Sequence, residues 1–437
     1  MKTKISLMML LLTAWLMVGC EGQNEPTSEG DGTTVENTDI ASVNKKMNFY
    51  GTVYEVILKD GNRMYFAIKN DKEVRMGCWC YFYDGCEDEY DTYAPYEYKG
   101  HLVIPEKITL EGKEYLVTEL YQMACASDSD SADPNTTLLS VVIPKTIKEM
   151  AWSCFSRCTA LQSVKFEKGS PIKELTTWTF MGCSSLEEVI LPENLSSIAL
   201  EVFGSCTSLK TIKLPETVTV IGSRAFIGCN SLEDINLENV KIVGEDGFGS
   251  GAFEGCTSLK TANLESAIKI HERTFSGCTS LENVKLDNLE VLGREAFDSC
   301  TALQKVELPS IKYLGIDVED NEEETWWAGG DAFVDCHALE TLILGSSLIK
   351  TNIGYLFEGC ENLKDVYCYA INPPLDGCWE EGDSDYRNFI GDFVLHVPAG
   401  SIEAYRKTHW GEIYQLREGY DDWYESVGYR TIVAIEE

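Results

Sequence analysis

Histidine is scarce in this sequence, with five in 437 residues. That scarcity weighs against imidazole-based catalysis and against His-rich metal sites. Positive charge is also short: 36 Lys and Arg stand against 71 Asp and Glu, a formal net charge of −35. Phosphate backbones and anionic lipid surfaces both need a basic counter-surface, so this balance argues against nucleic acid as a partner and against electrostatic docking on a membrane. The strongly apolar stretch near the start, Ile5 to Val18, falls short of the ~20 residues of a comfortable membrane span. No Gly-x-Ser-x-Gly elbow or phosphate-binding loop stands between a strand and a helix. Carboxylates are plentiful, yet no spacing marks a pair held across a cleft. The chain reads as a non-enzyme without cofactor or resident metal. Its 44% hydrophobic content still provides for a sizeable core.

Residues 1–20 have a basic start, a short apolar middle and small residues at the end, the pattern of a secretory signal. The ending Leu16-Met17-Val18-Gly19-Cys20 resembles the lipobox of bacterial lipoproteins. In that pattern Leu usually stands three places before the Cys; here Met17 holds the place. The resemblance implies acylation of Cys20, which anchors the mature chain to a membrane; an ordinary cleaved signal is the alternative. Residues 21–45 are rich in Glu, Asp, Thr, Ser, Gly and Asn and read as a flexible linker.

The middle of the chain repeats. Phe-x-x-Cys-x-x-Leu-x-x-(Val/Ile)-x-(Leu/Phe) starts at Phe155, Phe180, Phe203, Phe226, Phe253, Phe275, Phe297, Phe333 and Phe357. Most successive cysteines stand 22 to 25 residues apart, which is the leucine-rich-repeat period. The end of each unit alternates like a short strand, and a Pro often follows, as at Pro192, Pro215 and Pro309. A single unit cannot bury its own apolar side, whereas stacked units bury a continuous core. The expected fold is an α/β repeat: a leucine-rich-repeat solenoid with a parallel sheet on one face, over residues 117–370. Residues 46–116 lack the repeat; Phe49 to Leu58, Asp60-Gly61-Asn62 and Met64 to Ile68 read as a hairpin in a small N-terminal β cap. Residues 371–418 read as a C-terminal cap and 419–437 as a tail.

Nine of the 17 cysteines hold one equivalent repeat position, Cys158 to Cys360. Spacings above 20 residues without a partnered His are not a zinc pattern. Side chains stacked in one direction are poorly placed for disulfides, because bridged Cβ vectors must converge. They are expected to be a buried ladder of free thiols.

These repeats resemble the BspA-type leucine-rich repeats of bacterial surface proteins. The likeness includes the ends: Tyr367 to Pro374 resembles the exit from the last repeat, Val397 to Arg406 with Trp410 the closing segment, and His101 to Pro105 and Gly112 to Thr118 the first strands. It implies a fold of stacked coils and a recognition role, with host or cell-surface proteins, or glycans, as partners; it does not imply catalysis. The 36-residue gap between Cys300 and Cys336 departs from the pattern. So do its Glu-rich insertion, the Cys- and Tyr-rich stretch before the repeats, and the tail.

Within that frame the expected role is macromolecular binding, with protein adhesion first, glycan capture for nutrient uptake second and a structural envelope role third. Export across the inner membrane and lipid anchoring at the outer membrane or cell surface are expected with it. Candidate ligand residues are Trp326 and Trp327 in the acidic insertion, and Lys165, Lys213, Lys285 and Tyr367 at outward strand positions. The insertion could also bind calcium or pack as a solvated excursion. Cys78, Cys80 and Cys86 lie among aromatics. Three readings stay open for them: a disulfide-held contact surface, a metal site, or a loop packed on the cap. Cys368 and Cys378 flank a Pro-rich turn and are candidates for a bridge.

Overall fold

The computed structural model describes residues 39–48, 51–77, 98–121, 134–245, 251–316, 332–351, 356–376, 393–416 and 424–435. Each repeat contributes one coil, and the strand after its Cys joins a parallel sheet. Gly100–Val103, Leu138–Ile143, Ser163–Phe166 and Glu188–Ile190 lie side by side. Thr211–Ile212 pairs with Asp234–Ile235, and Thr261–Asn263 with Asn283–Lys285. The series closes with Lys305–Leu308, Thr341–Leu344, Asp365–Cys368, Val394–Val397 and Ile432–Ala434. Equivalent residues face each other: Val164 stands opposite Val141 and Val189, and Leu342 opposite Val306 and Val366. Period-two alternation turns these residues inward and their neighbours to solvent.

The other side of the coils carries a second parallel sheet, a continuous ladder of nine strands from Glu174–Leu175 to Leu375–Asp376. Most of these strands are two residues long, too short for alternation to register in a sequence. A helix on this side is blocked by the backbone. Residues two before the Phe (Ser153, Trp178, Glu201, Arg224, Arg273, Glu295) are left-handed, with φ of 49 to 60°. So are those two after it, from Arg157 and Gly182 to Gly359, at 54 to 72°. The α-helix among the described residues is Ile402–Tyr405, in the C-terminal cap.

Between the sheets the repeat residues form rungs. Phe155, Phe180, Phe203, Phe226, Phe253, Phe275, Phe297, Phe333 and Phe357 stack ring on ring, with centroids 5.2 to 6.4 Å apart. Their backbones are coupled too: the Phe226 N–H donates to Ala252 O at 2.8 Å, and Phe253 to Thr274 at 2.8 Å. The Leu three after each Cys, among them Leu232 and Leu281, is buried beside the rings.

The core does not stop at the first coil. Tyr54, Val56, Met64, Phe66, Val74, Met76, Val117 and Leu120 belong to the same buried cluster. They come from a sheet in which Gly51–Leu58 and Arg63–Ile68 form the expected hairpin, closed by Leu58 N–H to Asn62 O at 2.8 Å. Lys113–Leu120 in that sheet pairs with Glu149–Met150, and Gly100–Val103 is the outermost strand of the first sheet. The linker expected through residue 45 ends earlier, because Ile40–Asn48 is an edge strand against Gly51–Leu58. Its described side chains up to Lys45 are mostly exposed, so the apolar alternation that marks a strand is missing. Buried Glu55 knots the cap together. Burial alone would raise its pKa, yet hydrogen bonds from Asn44, Lys46 and Tyr65 hold it below the usual carboxylate range.

At the far end the Tyr405 hydroxyl donates to Ala370 O at 2.9 Å, and Trp410 packs edge-on against Tyr405. The expected tail contributes structure as well. Ile432–Ala434 extends the first sheet alongside Val394–Val397, and buried Arg430 lays its guanidinium 3.8 Å from the Phe393 ring.

Leu232→Asp, an unpaired charge inside this stack, should cost about 4 kcal/mol or more, and Phe253→Ala about 3–5 kcal/mol. Urea denaturation followed by circular dichroism measures both. A cost under ~1 kcal/mol for either would contradict a continuous core.

Candidate binding surfaces

The interior holds the repeat thiols in a regular arrangement. The Sγ of Cys183 donates to Phe155 O at 3.2 Å, Cys206 to Phe180 at 3.3 Å, Cys229 to Phe203 at 3.1 Å and Cys256 to Phe226 at 3.2 Å. Cys278, Cys300, Cys336 and Cys360 continue the series at 3.0 to 3.2 Å. The same carbonyl accepts the Cys N–H of its own coil, as Phe226 O does from Cys229 at 3.1 Å. Each Phe carbonyl from Phe155 to Phe333 is thus satisfied twice, once within its coil and once by the next. Burial pushes Cys183, Cys229 and Cys278 up to about 12, and Cys206, Cys256 and Cys300 well above the usual thiol value. Thiols held protonated this firmly are poor nucleophiles at neutral pH. Among the described residues no group of three or more His, Cys, Asp or Glu is arranged to hold a metal ion. Cys368 is a free buried thiol 3.2 Å from the Tyr405 hydroxyl.

Ligand contact therefore falls to the exterior. Lys165, Lys213, Lys285 and Tyr367 all stand on one row of the first sheet, just after the inward apolar residue of their strands. Their surroundings differ. Lys285 is tied to Glu265 and Asp287. Tyr367 is half-buried, stacked on His396 at 4.1 Å, and His396 Nε2 bonds Asp365 Oδ1 at 2.7 Å. Lys165 and Lys213 are exposed and form no ion pair among the described residues. They share the row with apolar neighbours: Val103 opposite Val142, Val142 opposite Lys165, and Lys165 opposite Ile190. Val103 is 41% and Ile190 45% exposed. The result is an apolar patch carrying two lysines without an ion pair among the described residues, on a chain of net charge −35. Trp326, Trp327, Cys20, Cys78, Cys80, Cys86 and Cys378 lie outside the described residues.

A second row runs along the left-handed position two before six of the nine Phe residues. Trp178, Glu201 and Arg224 occupy it in three successive coils, and Trp152 packs edge-to-face on Trp178 with centroids 6.1 Å apart. Arg224 bonds Glu201 at 2.8 Å. Farther along, Arg273 pairs with Glu254 and Glu295. Reading the repeats as strands alone passes over this row. The signal is present in the residue two before each Phe, which is polar or small in most coils, Trp at 178 and Tyr at 355.

Two β faces, a stacked aromatic interior and varied exterior rows define a leucine-rich-repeat solenoid, a class whose long outer surfaces serve recognition. The family model of the BspA type leucine rich repeat region matches six copies over residues 130–250, 244–318 and 323–372, more than half of the chain, and the chain belongs to that family. A comparison with curated proteins finds no match. Among solved structures, the chain is similar to a leucine-rich repeat protein from Bacteroides ovatus, at 21% identity over 85% of this chain and 98% of that one, TM-score 0.49. It is also similar to a leucine rich cell surface protein from Faecalibacterium prausnitzii, at 19% over 69% and 92%, TM-score 0.35. The pneumococcal vaccine antigen PcpA matches at 15% over 91% and 100%, TM-score 0.41.

The thiols give a sign-definite pH response. Unfolded thiols ionise near 9.0, while Cys183, Cys229 and Cys278 keep their protons to about 12. Their contribution to stability is complete below pH 9 and is lost as pH rises toward 12. Denaturation midpoints should hold level from pH 6 to 8 and fall above about 9. A disulfide-forming chromogenic reagent should leave these thiols unlabelled in the native protein and label them on unfolding. Rapid labelling of the native ladder would overturn the assignment.

Proposed function

We propose that this chain is a surface-anchored lipoprotein that binds protein ligands through the amino-terminal part of its first sheet. The observation that carries the reading is the row Val103, Val142, Lys165, Ile190 and Lys213. It offers exposed apolar area beside two cations that form no ion pair among the described residues, on a strongly acidic molecule. Such a patch suits an acidic segment that also carries an apolar side chain, with the lysines steering approach and the apolar residues prolonging contact. Membership in a repeat family whose role is recognition supports the reading. The signal-like residues 1–20 and the lipobox-like ending at Cys20 support the anchor and its place on the cell surface.

The Lys165→Glu, Lys213→Glu double variant should weaken capture of immobilised host-matrix and cell-surface proteins by about tenfold or more, mainly through slower association at low salt. Ile190→Ser should mainly speed dissociation. Equal binding by all variants would remove this face from the interaction. For the anchor, mass spectrometry of the amino-terminal peptide should find acyl groups on Cys20, and Cys20→Ser should move the protein from the membrane fraction to the soluble one. An unmodified amino terminus beyond Cys20 would refute it.

A further inference from the structure

We infer that the Trp152–Trp178 edge is a second recognition site, distinct from the sheet face, and that it takes a neutral glycan. The backbone supplies the first argument. Trp178 has φ of 60°, in a left-handed conformation that bulky side chains rarely adopt. Its equivalents are Ser153 in the coil before and Glu201 and Arg224 in the coils after, so the fold does not require an aromatic here. A large ring kept at a backbone position unfavourable to it points to use rather than packing.

The surroundings supply the second argument. Trp152 and Trp178 are both half-buried and meet at 69° with centroids 6.1 Å apart, so the rings are held in a fixed mutual orientation. Directly along the row stands Glu201, bonded to Arg224 at 2.8 Å, with side-chain exposures of 15% and 42%. That pair brings planar donors and acceptors but no net charge. A hexose has an apolar C–H face that packs on an indole and a rim of hydroxyls that both donate and accept hydrogen bonds. An aromatic corner beside a mutually neutralised carboxylate and guanidinium matches both features. The chain's net charge of −35 argues for an uncharged sugar over a sulfated or uronic one.

The test uses the full mature chain with maltoheptaose, cellohexaose and mannohexaose as probes, followed by tryptophan fluorescence and by calorimetry. Saturable binding of at least one is expected. It should weaken about tenfold or more in Trp178→Ser and in Trp152→Ser. Ser153 holds the equivalent place in the coil before, so Trp178→Ser should fold with the parent's circular dichroism spectrum. The Lys165→Glu, Lys213→Glu double variant should bind the same sugar unchanged, which separates this site from the sheet face. No saturable binding of any of the three sugars, or binding undiminished in both Trp variants, overturns the inference. So does a Trp178→Ser variant that loses protein capture while no sugar binds, because the edge then belongs to a protein interface.

Discussion

The structure depends on one contact repeated along its axis: the seat of each coil on the Phe of the coil before. The ring lies on the neighbouring ring, and the thiol of the next Cys reaches the carbonyl behind that ring. Both halves are needed. Stacked rings set the spacing between coils by van der Waals contact. The thiol answers the second lone pair of a buried carbonyl, whose desolvation would otherwise go uncompensated. A hydroxyl there would be more polar than the site requires, and an alanine would leave a gap with no donor. Cysteine is small, apolar enough for complete burial and still able to donate.

Because the interior is the same from coil to coil, variation is confined to the outside. The inward positions repeat Phe, Cys, Leu and an aliphatic residue, and their substitution disturbs two neighbouring coils at once. The outward positions carry no such burden. On the sheet row they change from Lys165 and Ile190 to Asn236 and Tyr367. On the edge row they change from Trp178 through the Glu201–Arg224 pair to Arg273 and Glu295. Neighbouring coils stay in step, so residues more than 20 places apart in sequence become adjacent, and a patch such as Val103, Val142, Lys165 and Ile190 exists only through the stack.

The cysteines also bear on the proposed surface location. Secreted proteins usually form disulfides, yet the ladder thiols are free and buried, and burial pushes Cys183 and Cys229 up to about 12. Folding itself protects them: once the coils are stacked, the reactive form is absent and no oxidant reaches the sulfur.

Several features were legible before any coordinates. The period of the Phe and Cys residues required stacked coils, and equivalent cysteines at spacings above 20 residues pointed to a buried ladder. The hairpin around Asp60-Gly61-Asn62 was marked by its turn residues. Other features needed the tertiary structure, each for a physical reason. The second ladder is made mostly of two-residue strands, too brief to show a period. The strand Ile40–Asn48 has too few inward residues to alternate, and Ile432–Ala434 is a strand because Val394–Val397 offers it an edge. The thiol-to-carbonyl bonds and the aromatic corner join residues of different coils. A linear pattern records the spacing of such residues; only the stacked coils decide which of them touch.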